Sequence, residues 1–306
     1  MTTEVLVAIW SQAPFQGSIF RGIEELNKHL KAKNIDVSYE PILVNVRKPK
    51  DAHIFILDGG EDVDPQRYGQ KNEHSHFSKA RDKAEFSLTE HYADKGARIS
   101  GICRGHQLIN VFFGGTLFQD IRHSKLVREG ENHSSGHKVF LSRQPRQSIL
   151  PNFVGSNSFT VSSLHHQAVR DYGKGIQNTL VWKPQNKSKS YYAQNLVEGI
   201  ESRDNRIRGL QCHPEFRGYP KDGLLFAYLM HVDAYAREFV SLDTKRLETK
   251  FGKANLDSTF YPRESSRPER PSSAASLRRT FTSSNTVDFN TPPVIGRRND
   301  EFEEDE

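Results

Sequence analysis

The sequence predicts an α/β protein: an open, mostly parallel sheet flanked by helices, with a small antiparallel addition. Three observations carry this. Val5-Leu6-Val7-Ala8-Ile9 and Ile54-Phe55-Ile56-Leu57 are short, continuous apolar runs, the composition of strands covered on both faces. Segments of helical period alternate with such runs. Glycine-marked turns follow Leu57 and surround Cys103, at the carboxyl ends of strands, where sites gather in sheets of this kind.

Taken in order, Val5 to Ile9 reads as a buried first strand. Ile19, Phe20, Ile23, Leu26 and Leu30 recur at helical spacing and predict a helix over residues 17–31. Residues 37–46 read as extended. The run at 54–57 is a second buried strand that leads straight into Asp58-Gly59-Gly60. Phe86, Leu88 and Tyr92 predict a helix over 80–95. An extended segment (97–102) and a helix (106–113) then bracket Cys103. Shorter strands come next at 138–141, 159–161, 180–182, 191–197 and 208–211, several of them antiparallel. A closing helix is expected over 222–239, with Leu225, Leu229 and Val232 on one face.

Residues 1–240 thus read as the folded, catalytic part and 241–261 as a connecting segment. Residues 262–306 are rich in Ser, Thr, Pro and Arg, with an acidic end from Asp300 to Glu306. Such a segment buries too little apolar surface to order itself, and reads as a disordered tail or a docking segment for another protein.

Composition narrows the classes further. Of 306 residues, 35% are hydrophobic and 26% charged, which suits a soluble protein with a real core. No apolar run approaches the roughly 20 residues that span a bilayer, and Met1 to Glu4 lacks the basic start of a secretory signal. A membrane partner is therefore not expected. The net charge of +5 comes from scattered residues without a nucleic-acid-reading module, so nucleic acid is not expected either. With two cysteines, Cys103 and Cys212, a disulfide scaffold is not expected, and a reducing cytoplasm is the natural setting.

Gly101-Ile102-Cys103-Arg104-Gly105-His106-Gln107 sets a cysteine between two glycines at a strand-to-helix junction. That arrangement presents a nucleophile on a sharp turn, and a helix start aims N–H groups at the sulfur. A small buried cysteine is the commoner fate of a lone Cys. Gly209-Leu210-Gln211-Cys212-His213-Pro214-Glu215 adds a base and a carboxylate. In an extended segment His213 and Glu215 share a side, which a catalytic cysteine would use. The alternative is a Pro214 turn with a solvated Glu215.

Together these segments resemble the class I glutamine amidotransferase superfamily, with its G-x-C-x-G-x-Q turn and later H-P-E. The resemblance is closest to its peptidase C26 branch of γ-glutamyl hydrolases, which includes γ-glutamyl-γ-aminobutyrate hydrolase. Asn110 to Ile121 (NVFFGGTLFQDI), Gly59 to Gly69 (GGEDVDPQRYG) and Ser163 to Val169 (SLHHQAV) fit that branch, and the resemblance spans about Val5 to Val240. It implies the flavodoxin-like class I amidotransferase fold. It implies a small-molecule γ-glutamyl substrate cleaved through a thioester on Cys103, with His213 as base and Glu215 as its orienting carboxylate. It further implies an oxyanion hole from the backbone of Gly60 and Arg104, and substrate contacts from Gln107, His165 and His166. No cofactor is implied.

His133 and His137 have a four-residue spacing that would suit a metal on a helix. Ser134-Ser135-Gly136 is poor helix material, and His137 better fits a strand start, so no metal is expected. His106 is a departure: it stands where amidotransferases that feed a synthetase often have histidine, whereas Arg104 looks hydrolase-like. Ser100 is unexpectedly polar just before the turn. Three functional readings are open: a free-standing γ-glutamyl amide hydrolase, a glutaminase passing ammonia to a separate synthetase subunit, and a binding or regulatory protein that kept the fold without turnover.

Overall fold

The computed structural model describes residues 2–11, 16–124, 126–127, 133, 135–142, 148–183, 195–216, 218–233 and 236. The expected connecting segment (241–261) and tail (262–306) lie outside these.

The first half alternates as expected. Strand β1 (Thr3–Trp10) is followed by α1 (Gln16–Ala32), β2 (Val37–Leu43), β3 (Ile54–Leu57), α2 (Lys79–Asp94), β4 (Arg98–Ile102) and α3 (Arg104–Phe112). Then come β5 (Leu117–Phe118), β6 (His137–Leu141), α4 (Leu150–Val154), β7 (Ser158–Val161), β8 (Ala168–Val169), β9 (Ile176–Trp182), β10 (Leu196–Ser202), β11 (Ile207–Leu210) and α5 (Asp222–Leu229). A nine-stranded sheet has the order β2-β1-β3-β4-β11-β10-β9-β6-β7, and β5 pairs with β8 in a small separate sheet. The strands from β2 to β11 run parallel. From β11 through β10, β9, β6 and β7 each neighbour is antiparallel.

The pleat explains the layering. Val7, Ile9, Ile54 and Ile56 point to one face, where they join Ile19, Ile23, Leu26 and Leu30 of α1 and the apolar residues of α5. Ala8, Phe55 and Leu57 point to the other, against Leu88 and Tyr92 of α2 and Leu108 and Ile109 of α3. Period-2 strands with both faces apolar thus receive a helix layer on each side.

Two element boundaries differ from expectation. The strand expected over 191–197 begins at Leu196 and runs to Ser202; residues 191–194 lie outside the described set. The closing helix α5 ends at Leu229; of the rest of the expected 222–239 stretch, residues 234–235 and 237–239 lie outside the described set. Its last carbonyls are taken by buried side chains: Arg208 donates to Tyr228 O at 2.6 Å and Ser100 to Leu229 O at 2.6 Å. His231 then has φ +54°, which turns the chain out of the helix. The polarity of Ser100 is accounted for by this bond.

Candidate active site

Cys103 sits between β4 and α3 with φ +50°, a conformation that costs a non-glycine residue of order 1–3 kcal/mol. The flanking glycines make the turn sterically feasible. A Cβ on Gly101 would lie 2.4 Å from the Gly105 carbonyl carbon, and one on Gly105 would lie 2.4 Å from Leu57 O. No side chain caps α3; in its first turn the Gly105 N–H donates to Asp58 O at 3.1 Å, and the remaining first-turn N–H groups lie on the Cys103 side of the turn. Gln211 donates to Cys103 Sγ at 3.5 Å, and the sulfur lies 3.7 Å from Leu164 O.

The His213 segment reaches this turn because β11 pairs with β4 in parallel, Leu210 beside Ile102. Both strands therefore end at the same rim. His213 Nδ1 is 2.8 Å from Glu215 Oε1, and both side chains are buried. A Cβ placed on Gly59 would lie 2.9 Å from His213 Cε1 and 3.6 Å from Cys103 Cβ. The imidazole edge and the thiol-bearing carbon therefore flank one point, kept open by the missing side chain. Burial opposes charge on His213, but the Cys103 sulfur and then Glu215 outweigh it and push the ring up to about 10.

Gly60 has φ +144°, and a Cβ there would strike the Arg81 guanidinium at 2.1 Å, so glycine is required on both counts. Arg104 contributes its backbone at the turn, while its side chain is buried and ion-paired with Asp82 and Glu85. Gln107 is buried: its amide donates to Gln211 Oε1 at 3.1 Å and Gln167 O at 3.3 Å. The structure parts the two histidines of the 165–166 pair. His166 is 43% exposed and lies 3.0 Å from Asp62 Oδ1, whose hydrogen bond raises its pKa. His165 turns inward, 3.5 Å from Glu198 Oε1.

Sequence reasoning missed several of these neighbours. Gln211, two residues before His213, links the Gln107 amide to the sulfur. Arg81, Asp82 and Glu85 lie buried on α2 beneath the turn. Their signal was present: 81, 85, 88 and 92 form one helical stripe, and two of its four members are charged. Glu198 sits fully buried among His133, His137 and His165. Burial alone would raise its carboxyl, yet the facing His137 and His165 rings hold it below the usual carboxylate range. His106, the departure from pattern, is buried against Gly209, where a Cβ would lie 2.9 Å from its Nδ1. Burial holds that ring neutral, down at about 4. Both cysteines are free thiols.

A cysteine on a strand-to-helix turn, at the rim of a mostly parallel sheet with helices on both faces, defines a class I glutamine amidotransferase-like enzyme. Within that class, the chain belongs to the peptidase C26 family, whose model matches residues 50–215. A Schizosaccharomyces pombe protein described as "Putative glutamine amidotransferase" is 34% identical over 193 residues, which cover 61% of this chain and 71% of the relative. "Protein NtpR" of Enterococcus hirae is 31% identical over 193 residues, covering 57% and 74%. A "Gamma-glutamyl-gamma-aminobutyrate hydrolase" of Shigella flexneri is 24% identical over 199 residues, covering 61% and 74%. The family acts on amide C–N bonds. No described helix is long and apolar enough to cross a membrane.

Proposed function

We propose that this chain cleaves the γ-amide bond of glutamine or a γ-glutamyl amine through a thioester on Cys103. The observation that carries the reading is the meeting of Cys103 and His213 at Gly59, with Glu215 against the ring's Nδ1. The Cys103 thiolate attacks the γ-carbonyl carbon, a C–S bond forms and the carbonyl electrons move to oxygen. Backbone N–H groups of Gly60 and Arg104 stabilise that oxyanion; losing one such donor costs about 2.7–4 kcal/mol. As the C–N bond breaks, His213 gives its proton to the leaving amine. His213 next accepts a proton from water, which attacks the thioester; the C–S bond breaks and glutamate leaves. Glu215 fixes the ring's tautomer throughout. Gln107 holds the glutamyl part through the wall it shares with Gln211, and His166 with Asp62 lines the mouth.

Two readings share this chemistry and differ in the fate of the released amine. The S. pombe relative's description as a glutamine amidotransferase favours glutamine as donor; in that reading the ammonia passes to a separate synthetase. The S. flexneri relative favours a free-standing hydrolase. Glutamate release by the pure chain, measured on glutamine and on a set of γ-glutamyl amines, separates them. Turnover of γ-glutamyl amines without a partner marks the hydrolase; slow release from glutamine that rises with an added synthetase and its acceptor marks the ammonia donor. An intact chain whose Cys103 takes no label from a glutamine-like electrophile, and which releases no glutamate, is the binding protein of the third reading, and the proposal fails.

Glu215→Gln tests the roles at the imidazole. Turnover is expected to fall about a hundredfold. The sign for pH comes from the ring's raised value, to which Glu215 contributes. Without the carboxylate the imidazolium loses its proton at lower pH, so the alkaline limb of the kcat/KM profile moves toward acid. An unmoved limb would remove Glu215 from the mechanism.

A further inference from the structure

His133, His137, His165 and Glu198 form a cluster outside the chemistry just described, and we infer that it is a tetrahedral zinc-binding site. The four ligand atoms lie within 4.8 Å of one another. Glu198 Oε1 is 3.6 Å from His133 Nδ1, 3.2 Å from His137 Nε2 and 3.5 Å from His165 Nε2. His133 Nδ1 and His165 Nε2 are 3.2 Å apart. Ligands at Zn–N and Zn–O distances of about 2.0–2.1 Å, set at tetrahedral corners, have edges of about 3.3 Å. Four of the six edges of the cluster, at 3.2–3.6 Å, have that length.

The direction of the donors supports the same conclusion. All four side chains are at least nine-tenths buried, Glu198 at 1% exposure and His137 at 8%. Among the described residues, the Glu198 oxygens and the His137 nitrogens have no hydrogen bond of good geometry; Glu198 Oε1 has only the His133, His137 and His165 rings beside it, at 3.2–3.6 Å. His133 Nδ1 and His165 Nε2 face each other, whereas the Glu198 oxygens and the His137 nitrogens are packed against them without a well-formed hydrogen bond and point toward the centre of the group; a buried carboxylate is costly unless a cation holds it. The outer contacts also suit a metal ligand. His165 Nδ1 is 2.8 Å from Gln167 O, so that nitrogen carries the proton and Nε2 keeps its lone pair for zinc. Three imidazoles and one carboxylate are a borderline donor set that zinc accepts readily.

The site would join separate parts of the chain. His137 opens β6, Glu198 lies on β10, and His165 lies on the loop whose Leu164 carbonyl faces Cys103 Sγ. His133 is tied to that loop twice, its carbonyl accepting from Ser163 Oγ at 2.6 Å and from His165 N at 3.0 Å. On the same loop, Ser162 Oγ accepts from His213 N at 3.1 Å. With four protein ligands the metal has no open position, so it acts as a staple behind the site wall and not as a Lewis acid for substrate.

The test removes the nearest competing zinc trap, the reactive thiol beside His213, and so does not depend on the proposed reaction. The full chain carrying Cys103→Ala is stripped with chelator and titrated with Zn²⁺ in competition with a chromophoric chelator. Co²⁺ is loaded in parallel. The expected result is about one metal per chain, intense visible d–d bands of a four-coordinate Co²⁺ and a raised Tm. Adding Glu198→Gln or His137→Asn abolishes the equivalent and the bands. Should those variants fail to fold, X-ray absorption of the zinc-loaded Cys103→Ala chain decides alone: a nitrogen and oxygen shell with imidazole scattering supports the site, and a sulfur shell places the zinc at Cys212 and overturns it. Uptake below about a tenth of an equivalent, or a folded Glu198→Gln chain that keeps its metal, overturns it as well.

Discussion

Cys103→Ala is expected to lower kcat for γ-glutamyl amide cleavage by about 10,000-fold or more, the scale seen when a nucleophile that acts as one unit with its base is removed. On the proposed reading, the residual rate would come from the backbone donors proposed at Gly60 and Arg104 and from binding, which the substitution leaves in place. Steady-state glutamate release reads the loss, and intact-protein mass after a glutamine-like electrophile reads its cause: a single adduct on the parent chain and none on the variant. Stability gives an independent check on the turn. With φ +50° at this position, alanine keeps the strain and glycine relieves it. Cys103→Gly should therefore be as inactive as Cys103→Ala yet more stable by about 1 kcal/mol in urea unfolding. A Cys103→Ala chain with turnover near that of the parent would end the covalent mechanism, whatever its stability.

What the sequence disclosed is what depends on local spacing. The interval between Gly101 and Gly105 encodes a contact inside five residues, because a Cβ on Gly101 would run into Gly105; the contact of Gly105 with Leu57 on β3 is not local. The alternation of Val7, Ala8 and Ile9 between two cores is likewise written in single residues. What stayed hidden depends on partners distant in the chain. The end of α5 is set by Ser100 and Arg208, which reach in from β4 and β11; periodicity within 222–239 could not reveal them. For His133 and His137, helical spacing is the wrong geometry to apply. His137 does open a strand, but His165 and Glu198 complete the group from the 162–167 loop and β10. His165, expected at the mouth with His166, faces the other way because Glu198 is buried behind it. The motif at 101–107 assigns Arg104 a backbone role, and its side chain belongs to the core.

That side chain carries the largest expected effect on stability. Arg104 is 1% exposed and forks onto Asp82 and Glu85, themselves 0% and 1% exposed. Arg81 shares Glu85 at 2.7 Å and reaches Asp58 at 3.0 Å, so two guanidinium groups face three carboxylates beneath the Cys103 turn. Trp10 and the Asp64 amide supply further donors to Glu85 and Asp82, each at 2.8 Å. Arg104→Ala leaves two buried acids short of their cation, which costs about 3–5 kcal/mol. Arg104→Lys recovers little, because one ammonium cannot serve both carboxylates as a planar fork does. The loss should depend on pH, and its sign is fixed. Burial already raises Asp82, with Arg104 opposing; removing Arg104 raises it further above its unfolded value of about 3.9. A carboxyl raised in the folded state is a penalty at neutral pH that fades as pH falls through its folded pKa. The gap in urea midpoint between parent and variant should thus be widest near neutrality and narrow in acid. Arg104→Met combined with Asp82→Asn and Glu85→Gln should close much of it at neutral pH, since no uncompensated charge then remains at those three positions. An Arg104→Ala chain with the parent's midpoint at neutral pH would mean that the turn beneath Cys103 is held by packing alone.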